Sequence, residues 1–199
     1  MTGVQTCALP ISHAEQVLRL SAGGATLVQL REKHLSPREF FEAARDALEV
    51  ARARQMRLII NDRVDIALAL GADGVHLGQD DLPPVAAREL LGQQAIIGFS
   101  THTIEQAIEA ARLPVDYIAI GPIYQTSSKE NPDAVVGLDG LRRVRRAVGR
   151  IPLVAIGGIN AANAHEVIAA GADSLAIISL LWREPAETAR RVGDLLSSL

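Results

Sequence analysis

Asn61-Asp62-Arg63-Val64-Asp65 and, further on, Gly78-Gln79-Asp80-Asp81 place carboxylates just past the ends of two successive apolar runs. Oxygen ligands in that position suit Mg2+, which keeps several waters and lets substrate phosphates replace them. Asp62 and Asp81 read as the metal pair, with Asp80 as the alternative to Asp81 and a helix N-cap as the alternative role of Asp62. Upstream, Gln29-Leu30-Arg31-Glu32-Lys33 alternates at strand period, so Gln29, Arg31 and Lys33 share one side and Leu30 and Glu32 the other. A guanidinium fork beside an ammonium matches a diphosphate better than a neutral ligand. The structural alternative is an ion pair of these cations with Asp62 or Asp81 that closes one end of the fold. Asn61 either donates its amide to a phosphate oxygen or satisfies a loop.

Three later segments add polar groups. Gly98-Phe99-Ser100-Thr101-His102-Thr103 offers Ser100 as a pocket hydroxyl and Thr103 as a helix cap, with no base arranged for serine hydrolase chemistry. The connection from Gly121 to about Gly137 is the longest in the chain, and such connections serve as lids or binding loops. Within it Thr126 and Ser128 read as anion contacts and Lys129 as a cation that arrives with substrate. Ala155-Ile156-Gly157-Gly158-Ile159 and Ala176-Ile177-Ile178-Ser179 close the last two strands, where βα barrels of this kind bind a single phosphate through glycine backbone amides and a short helix N-terminus. His76 sits inside a strand and reads as an interior histidine bonded to a neighbour rather than a metal ligand.

Residues so scattered meet only if the fold gathers strand ends at one rim. Apolar runs at 26–30, 57–61, 74–77, 95–98, 117–120, 153–156 and 174–178 alternate with helix-period stretches at about 13–22, 37–55, 63–70, 82–91, 103–112, 139–149, 160–170 and 184–197. That alternation is the mark of α/β architecture around a parallel sheet. Gly71-Ala72-Asp73-Gly74, Val115-Asp116-Tyr117 and Gly171-Ala172-Asp173-Ser174, with Gly24-Ala25-Thr26-Leu27, introduce every second strand as a weak repeat. Eight helices with seven evident strands predict an eight-fold βα (TIM) barrel whose first strand is replaced or degenerate, an open doubly wound sheet being the runner-up. Residues 1–12, interrupted by Pro10, lack apolar alternation and read as a non-native or irregular segment ahead of a single domain at 13–199. Without a strand there, the sheet would keep an unpaired edge.

The chain has 199 residues, 48% of them hydrophobic, which bounds the protein to one compact domain. A net charge of −3 argues against a nucleic-acid partner, and Arg142-Arg143 with Arg145-Arg146 reads as a solvated helix face. No apolar run has the length to span a membrane, and the single cysteine, Cys7, fits a reducing, cytoplasmic setting. A homo-oligomer is compatible with the sequence.

From about residue 13 onward the chain resembles the thiamine phosphate synthase family. The resemblance is carried by Gly23-Gly24-Ala25-Thr26-Leu27-Val28-Gln29-Leu30-Arg31-Glu32-Lys33, Asn61-Asp62, Gly78-Gln79-Asp80-Asp81, Ser100-Thr101-His102-Thr103, Gly121-Pro122-Ile123-Tyr124 with Thr126 and Ser128-Lys129, and Gly157-Gly158-Ile159, in family order. It implies coupling of an aminopyrimidine methyl diphosphate to a thiazole phosphate with release of pyrophosphate. It also implies that Gln29 and Ser100 attend the pyrimidine, that Arg31, Lys33, Asn61 and Lys129 hold the diphosphate, and that Asp62 and Asp81 hold Mg2+. Thr126, Ser128, Gly158, Ile178 and Ser179 would hold the thiazole phosphate. Arg31, Lys33, Lys129 and Ser100 are the expected catalytic set. Two other readings compete: a thiazole tautomerase, which carries a histidine where this chain has Pro122, and a non-catalytic thiazole phosphate binding barrel.

Overall fold

The computed structural model describes residues 3–6, 11–126, 133–178 and 184–199. Its strands are β1 (Gly3–Thr6), β2 (Leu27–Leu30), β3 (Arg57–Asn61), β4 (Gly74–Leu77), β5 (Ile96–Thr101), β6 (Tyr117–Ile120), β7 (Leu153–Ile156) and β8 (Ser174–Ile177). Between and after them lie α1 (His13–Ala22), α2 (Pro37–Ala53), α3 (Val64–Leu70), α4 (Pro84–Leu91), α5 (Ile104–Ala110), α6 (Gly137–Val148), α7 (Ala164–Ala169) and α8 (Thr188–Ser197), the last preceded by a 3-10 turn at Pro185–Glu187. The strands are parallel and hydrogen-bond in chain order until the sheet closes on itself.

Residues 3–6 supply a strand, so the sheet keeps no unpaired edge between β2 and β8. Gly3, Val4, Gln5 and Thr6 pair with Leu27, Val28, Gln29 and Leu30, and Gly3 and Val4 also pair with Ala176 and Ile177. A parallel ladder is made by backbone groups, so a slot open on both sides accepts an extended segment without the apolar alternation that would announce it.

The helices follow from local sequence. Ser36 accepts from the Glu39 amide while the Glu39 carboxylate accepts from the Ser36 amide, a capping box ahead of Pro37 that starts α2. Phe40, Ala44, Ala47, Leu48 and Ala51 then form the buried stripe of α2. Gly71 ends α3 in the left-handed conformation, φ 60° and ψ 43°. On α6, Leu141, Val144 and Val148 are buried, while Arg142, Arg143 and Arg146 are exposed as expected. Arg145 departs from that face: half-buried, it donates to Asp173 at 2.6 Å and to the Ile151 carbonyl at 2.6 Å.

The repeat before every second strand has a physical role at the floor of the sheet. Asp73, Asp116 and Asp173 each accept, through Oδ2, the amide of Leu58, Ile97 and Leu153, at 2.8, 2.7 and 2.8 Å. Their own amides donate back to the carbonyls of the same three residues at 3.1, 2.7 and 2.9 Å. Each aspartate therefore clamps the start of the preceding strand at a point where the ladder has run out. Asp116 also accepts from Arg88, 2.7 Å away and nearly buried. Asp116→Ala should lower the unfolding free energy by about 1 kcal/mol, because the Ile97 amide loses its side-chain acceptor while Arg88 keeps the carbonyls of Gly92, Ala95 and Pro114. An unchanged urea midpoint would show that the clamp contributes nothing.

Candidate active site

In a closed parallel sheet the C-terminal ends of all strands meet at one mouth. A cavity of about 1040 Å3 runs from that mouth through the sheet to Asp116 and Asp173 at its floor, and its lining includes Gln29, Arg31, Lys33, Asn61, Asp62, Asp81, Ser100, Thr126, Gly158 and Ile178. All the candidate residues that the structure describes are thus gathered in one place. Ser128, Lys129 and Ser179 lie outside the described residues.

Strand alternation sorts the β2 segment as its sequence requires. Val28 and Leu30 are fully buried on the helix side, whereas Gln29, Arg31 and Lys33 line the cavity. Glu32 turns away and accepts the amides of Lys33 and His34 at 2.7 Å each, while its other oxygen lies 3.5 Å from His13 Nε2. Burial alone would raise the Glu32 pKa, but those backbone amides together with His13 bring it below the usual value.

Asp62 does not cap α3. It takes φ 62°, a left-handed conformation that aspartate tolerates at a cost of order 1 kcal/mol, and the N-cap position falls to Arg63, which makes no side-chain cap bond. The turn directs the Asp62 carboxylate into the cavity, where it pairs with Lys33 Nζ. Asp81 arrives from the turn after β4, its Oδ2 accepting the Gly78 amide at 2.6 Å. The Asp81 pKa is raised, first by burial and then by the hydrogen-bonded, like-charged Asp62, against the Gly78 amide and Lys33, which pull it down. Two carboxylates in contact under one ammonium form a site in which further positive charge is favoured. Asp80 lines the cavity too but is exposed, so Asp81 is the better partner for Asp62. Among the described residues no three His, Cys, Asp or Glu side chains converge on a metal position. The donor set fits Mg2+ with two protein carboxylates, the rest of its shell coming from water and phosphate oxygen.

Ser100 belongs to β5, which runs to Thr101 rather than stopping at Gly98, because Ser100 and Thr101 still pair with Ala119 and Ile120. Its hydroxyl lies 2.8 Å from His76 Nε2, and His76 Nδ1 lies 2.8 Å from the Tyr117 hydroxyl. The two rings stack with centroids 5.5 Å apart. Burial lowers the His76 pKa to about 4, against the opposing charge of Asp81, so the imidazole is neutral at neutral pH. Burial likewise raises the Tyr117 pKa, opposed by a hydrogen bond from Gln29. His76 is thus an interior histidine, as its place in the strand suggested.

Sequence reasoning missed Tyr117 and His102. Tyr117 stands opposite Gly98 in the ladder, and a Cβ on Gly98 would lie 2.0 Å from the ring. The pairing of that tyrosine with a glycine on the neighbouring strand emerges only from the ladder register, so the sequence carried no local signal for it. Gly98→Ala should displace the ring and destabilise the protein by about 1–3 kcal/mol; wild-type stability together with wild-type turnover would contradict this placement. His102 lines the cavity, with Nδ1 2.7 Å from the Gly121 carbonyl and 3.3 Å from Asp133 Oδ2.

The opposite wall is built from glycines. Gly157 and Gly158 have φ 98° and 68°, and the amide of Tyr124 donates to the Gly157 carbonyl at 3.0 Å. Tyr124 in turn donates its hydroxyl to Glu166 at 2.6 Å, tying the loop after β6 to α7. The cavity thus has a cationic and carboxylate wall at β2–β4 and a glycine wall at β7, with the His76–Tyr117 pair between.

A family profile described as thiamine monophosphate synthase matches residues 2–181. The chain is 49% identical over 168 residues to a thiamine-phosphate synthase of Chloroflexus aurantiacus, covering 84% of this chain and 77% of that one. It is 50% identical over 179 residues to a thiamine-phosphate synthase of Koribacter versatilis, covering 90% and 84%. Among solved structures, a thiamine phosphate pyrophosphorylase from Pyrococcus furiosus superposes with a TM-score of 0.88 at 34% identity, covering 99% of this chain and 94% of that one. The chain belongs to the thiamine monophosphate synthase family.

Proposed function

We propose that this cavity couples 4-amino-2-methyl-5-pyrimidinylmethyl diphosphate to 4-methyl-5-(2-phosphoethyl)thiazole, giving thiamine phosphate and pyrophosphate. Membership of a transferase family supports the reaction class. The observation that carries the residue assignment is the convergence of Arg31, Lys33, Asp62 and Asp81 on one wall of the cavity that Gly158 closes from the other side. In this reading the architecture is an eight-fold βα barrel in which residues 3–6 stand in for a degenerate first strand, working in the cytoplasm.

The chemistry needs no protein nucleophile. The C–O bond to the diphosphate breaks first, the electron-rich pyrimidine spreads the positive charge, and the thiazole nitrogen captures the carbon. Negative charge accumulates on the departing diphosphate, where Arg31 and Lys33 supply fixed donors, each worth roughly 2–4 kcal/mol of barrier lowering. Asp62 and Asp81 would hold Mg2+, which when bound supplies compensating charge on the same leaving group. Gln29 and Ser100 orient the pyrimidine; Gly158 and Thr126 orient the thiazole phosphate, and holding both rings in line removes an entropic part of the barrier. A tautomerase reading is less suited to Pro122 and to the carboxylate pair.

The test is direct. Purified protein incubated with both phosphorylated heterocycles and Mg2+ should release thiamine phosphate and pyrophosphate in equal amounts; consumption of neither substrate would reject the proposal.

A further inference from the structure

Arg31 and Lys33, the cations of the cavity wall, stand on a stretch of chain that the sheet does not hold. The ladder of β2 with β3 ends at the pairing of Leu30 with Ile60, and α2 begins only at its cap, Ser36. Among the described residues, residues 31–35 make no backbone–backbone hydrogen bond. Packing does not replace the ladder, because Leu35 and His34 are exposed. Keeping such a segment in one conformation costs entropy that some contact must offset.

Glu32 makes that contact. Its Oε1 accepts the amides of Lys33 and His34 at 2.7 Å each, and the Leu35 amide adds to them. Hydrogen bonds to an ionised acceptor are the stronger kind, and successive amides left over by strand and helix need an acceptor that no apolar side chain supplies. The Glu32 side chain is 2% exposed and does not line the cavity, so it meets no ligand. Its Oε2 faces His13 Nε2 at 3.5 Å, and His13 Nδ1 is buried with no hydrogen-bond partner among the described residues. His13 opens α1, whose Val17 and Leu20 are fully buried. The turn after β2 is thereby tied through one carboxylate to a helix rooted in the core.

We infer that Glu32 is a positioning residue for the diphosphate: it fixes the segment from which Arg31 and Lys33 reach into the cavity, so that both cations are in place before the ligand arrives. Long cationic side chains lose rotamer freedom when they grip an anion, and if their backbone were also free, binding would have to order it at the expense of affinity. Holding the backbone beforehand removes that part of the cost. The effect is confined to one wall, since Gly158 belongs to the opposite side of the cavity and Glu32 makes no contact with it. A carboxylate that merely stabilised the fold would act on both substrates alike.

The inference rests on the diphosphate reading of this wall, and titration of pyrophosphate in the presence of Mg2+ separates the two. Wild-type protein that does not bind it overturns the functional reading and the inference together. If wild-type protein binds, Glu32→Ala should weaken binding roughly tenfold or more, while the KM for the thiazole phosphate stays within about twofold. Glu32→Gln, which keeps an oxygen for the same amides, should recover most of the lost affinity. Wild-type affinity in Glu32→Ala, an equal loss for both substrates, or a Glu32→Gln protein no tighter than Glu32→Ala overturns the inference alone. Amide hydrogen exchange on wild-type protein needs no variant: the Lys33 and His34 amides should be protected, and exchange of both at the rate of unstructured peptide overturns it even if Glu32→Ala does not fold.

Discussion

Replacing Asp62 by Asn is expected to cut Mg2+-dependent turnover roughly 100-fold or more, the scale on which removal of one charge-stabilising group from an active site is felt. Asparagine is the informative substitution because it keeps the volume and tolerates the left-handed φ of 62° that this position holds. Only the negative charge is lost. The fold should change little, since Asp62 contributes no core packing and its ion pair with Lys33 is partly solvent-exposed, a class of contact worth about 1 kcal/mol or less. Asp62→Ala should show the same loss of turnover with an added backbone penalty. Steady-state rates against Mg2+ concentration, read beside thermal unfolding, separate these effects; an Asp62→Asn protein with an unchanged Mg2+ profile would remove the carboxylate from the site.

Gly158→Ala should act on the other substrate. The position has φ 68°, and an added Cβ would lie 2.6 Å from Tyr124 Cβ and 2.7 Å from the Gln125 carbonyl oxygen. The Gln125 oxygen belongs to the backbone and cannot rotate away, so the strand end or the loop after β6 must shift. The KM for the thiazole phosphate should rise roughly tenfold or more, given that misplacement of a binding group by about 1 Å can cost a factor near 100. The KM for the pyrimidine diphosphate should stay within about twofold, because its cationic wall on β2 and β3 is untouched. Gly92→Ala is the control: Gly92 has φ 80° with nothing within 4 Å of the added carbon, so it incurs the conformational cost alone. Equal KM changes for both substrates in Gly158→Ala would show that the glycine wall does not belong to the thiazole phosphate.

Much of the site was legible because strand period and strand ends are local signals. Alternation from Gln29 to Lys33 put the cations on one side, and the structure keeps Leu30 buried behind them. The seven apolar runs fall on β2 to β8 for the same reason, with β5 ending three residues beyond its apolar stretch because its ladder with β6 continues through polar Ser100 and Thr101. What stayed hidden depends on tertiary placement. Residues 3–6 form a strand because β2 and β8 leave a slot for them, not because of their own pattern. Asp62 resembles a helix cap in sequence, and only its positive φ turns the carboxylate inward. Tyr117 becomes an interior polar group only beside Gly98, which a one-dimensional reading treats as unrelated.

In the function we propose, Asp62 and Asp81, with Lys33 and Arg31, grip a magnesium-bound diphosphate. Calorimetric titration of pyrophosphate into the protein tests it without catalysis. Binding should be weak in EDTA and at least tenfold tighter with Mg2+ present, and the gain should vanish in Asp62→Asn. Pyrophosphate bound equally well with and without Mg2+, or a full Mg2+ gain retained in Asp62→Asn, would contradict the account.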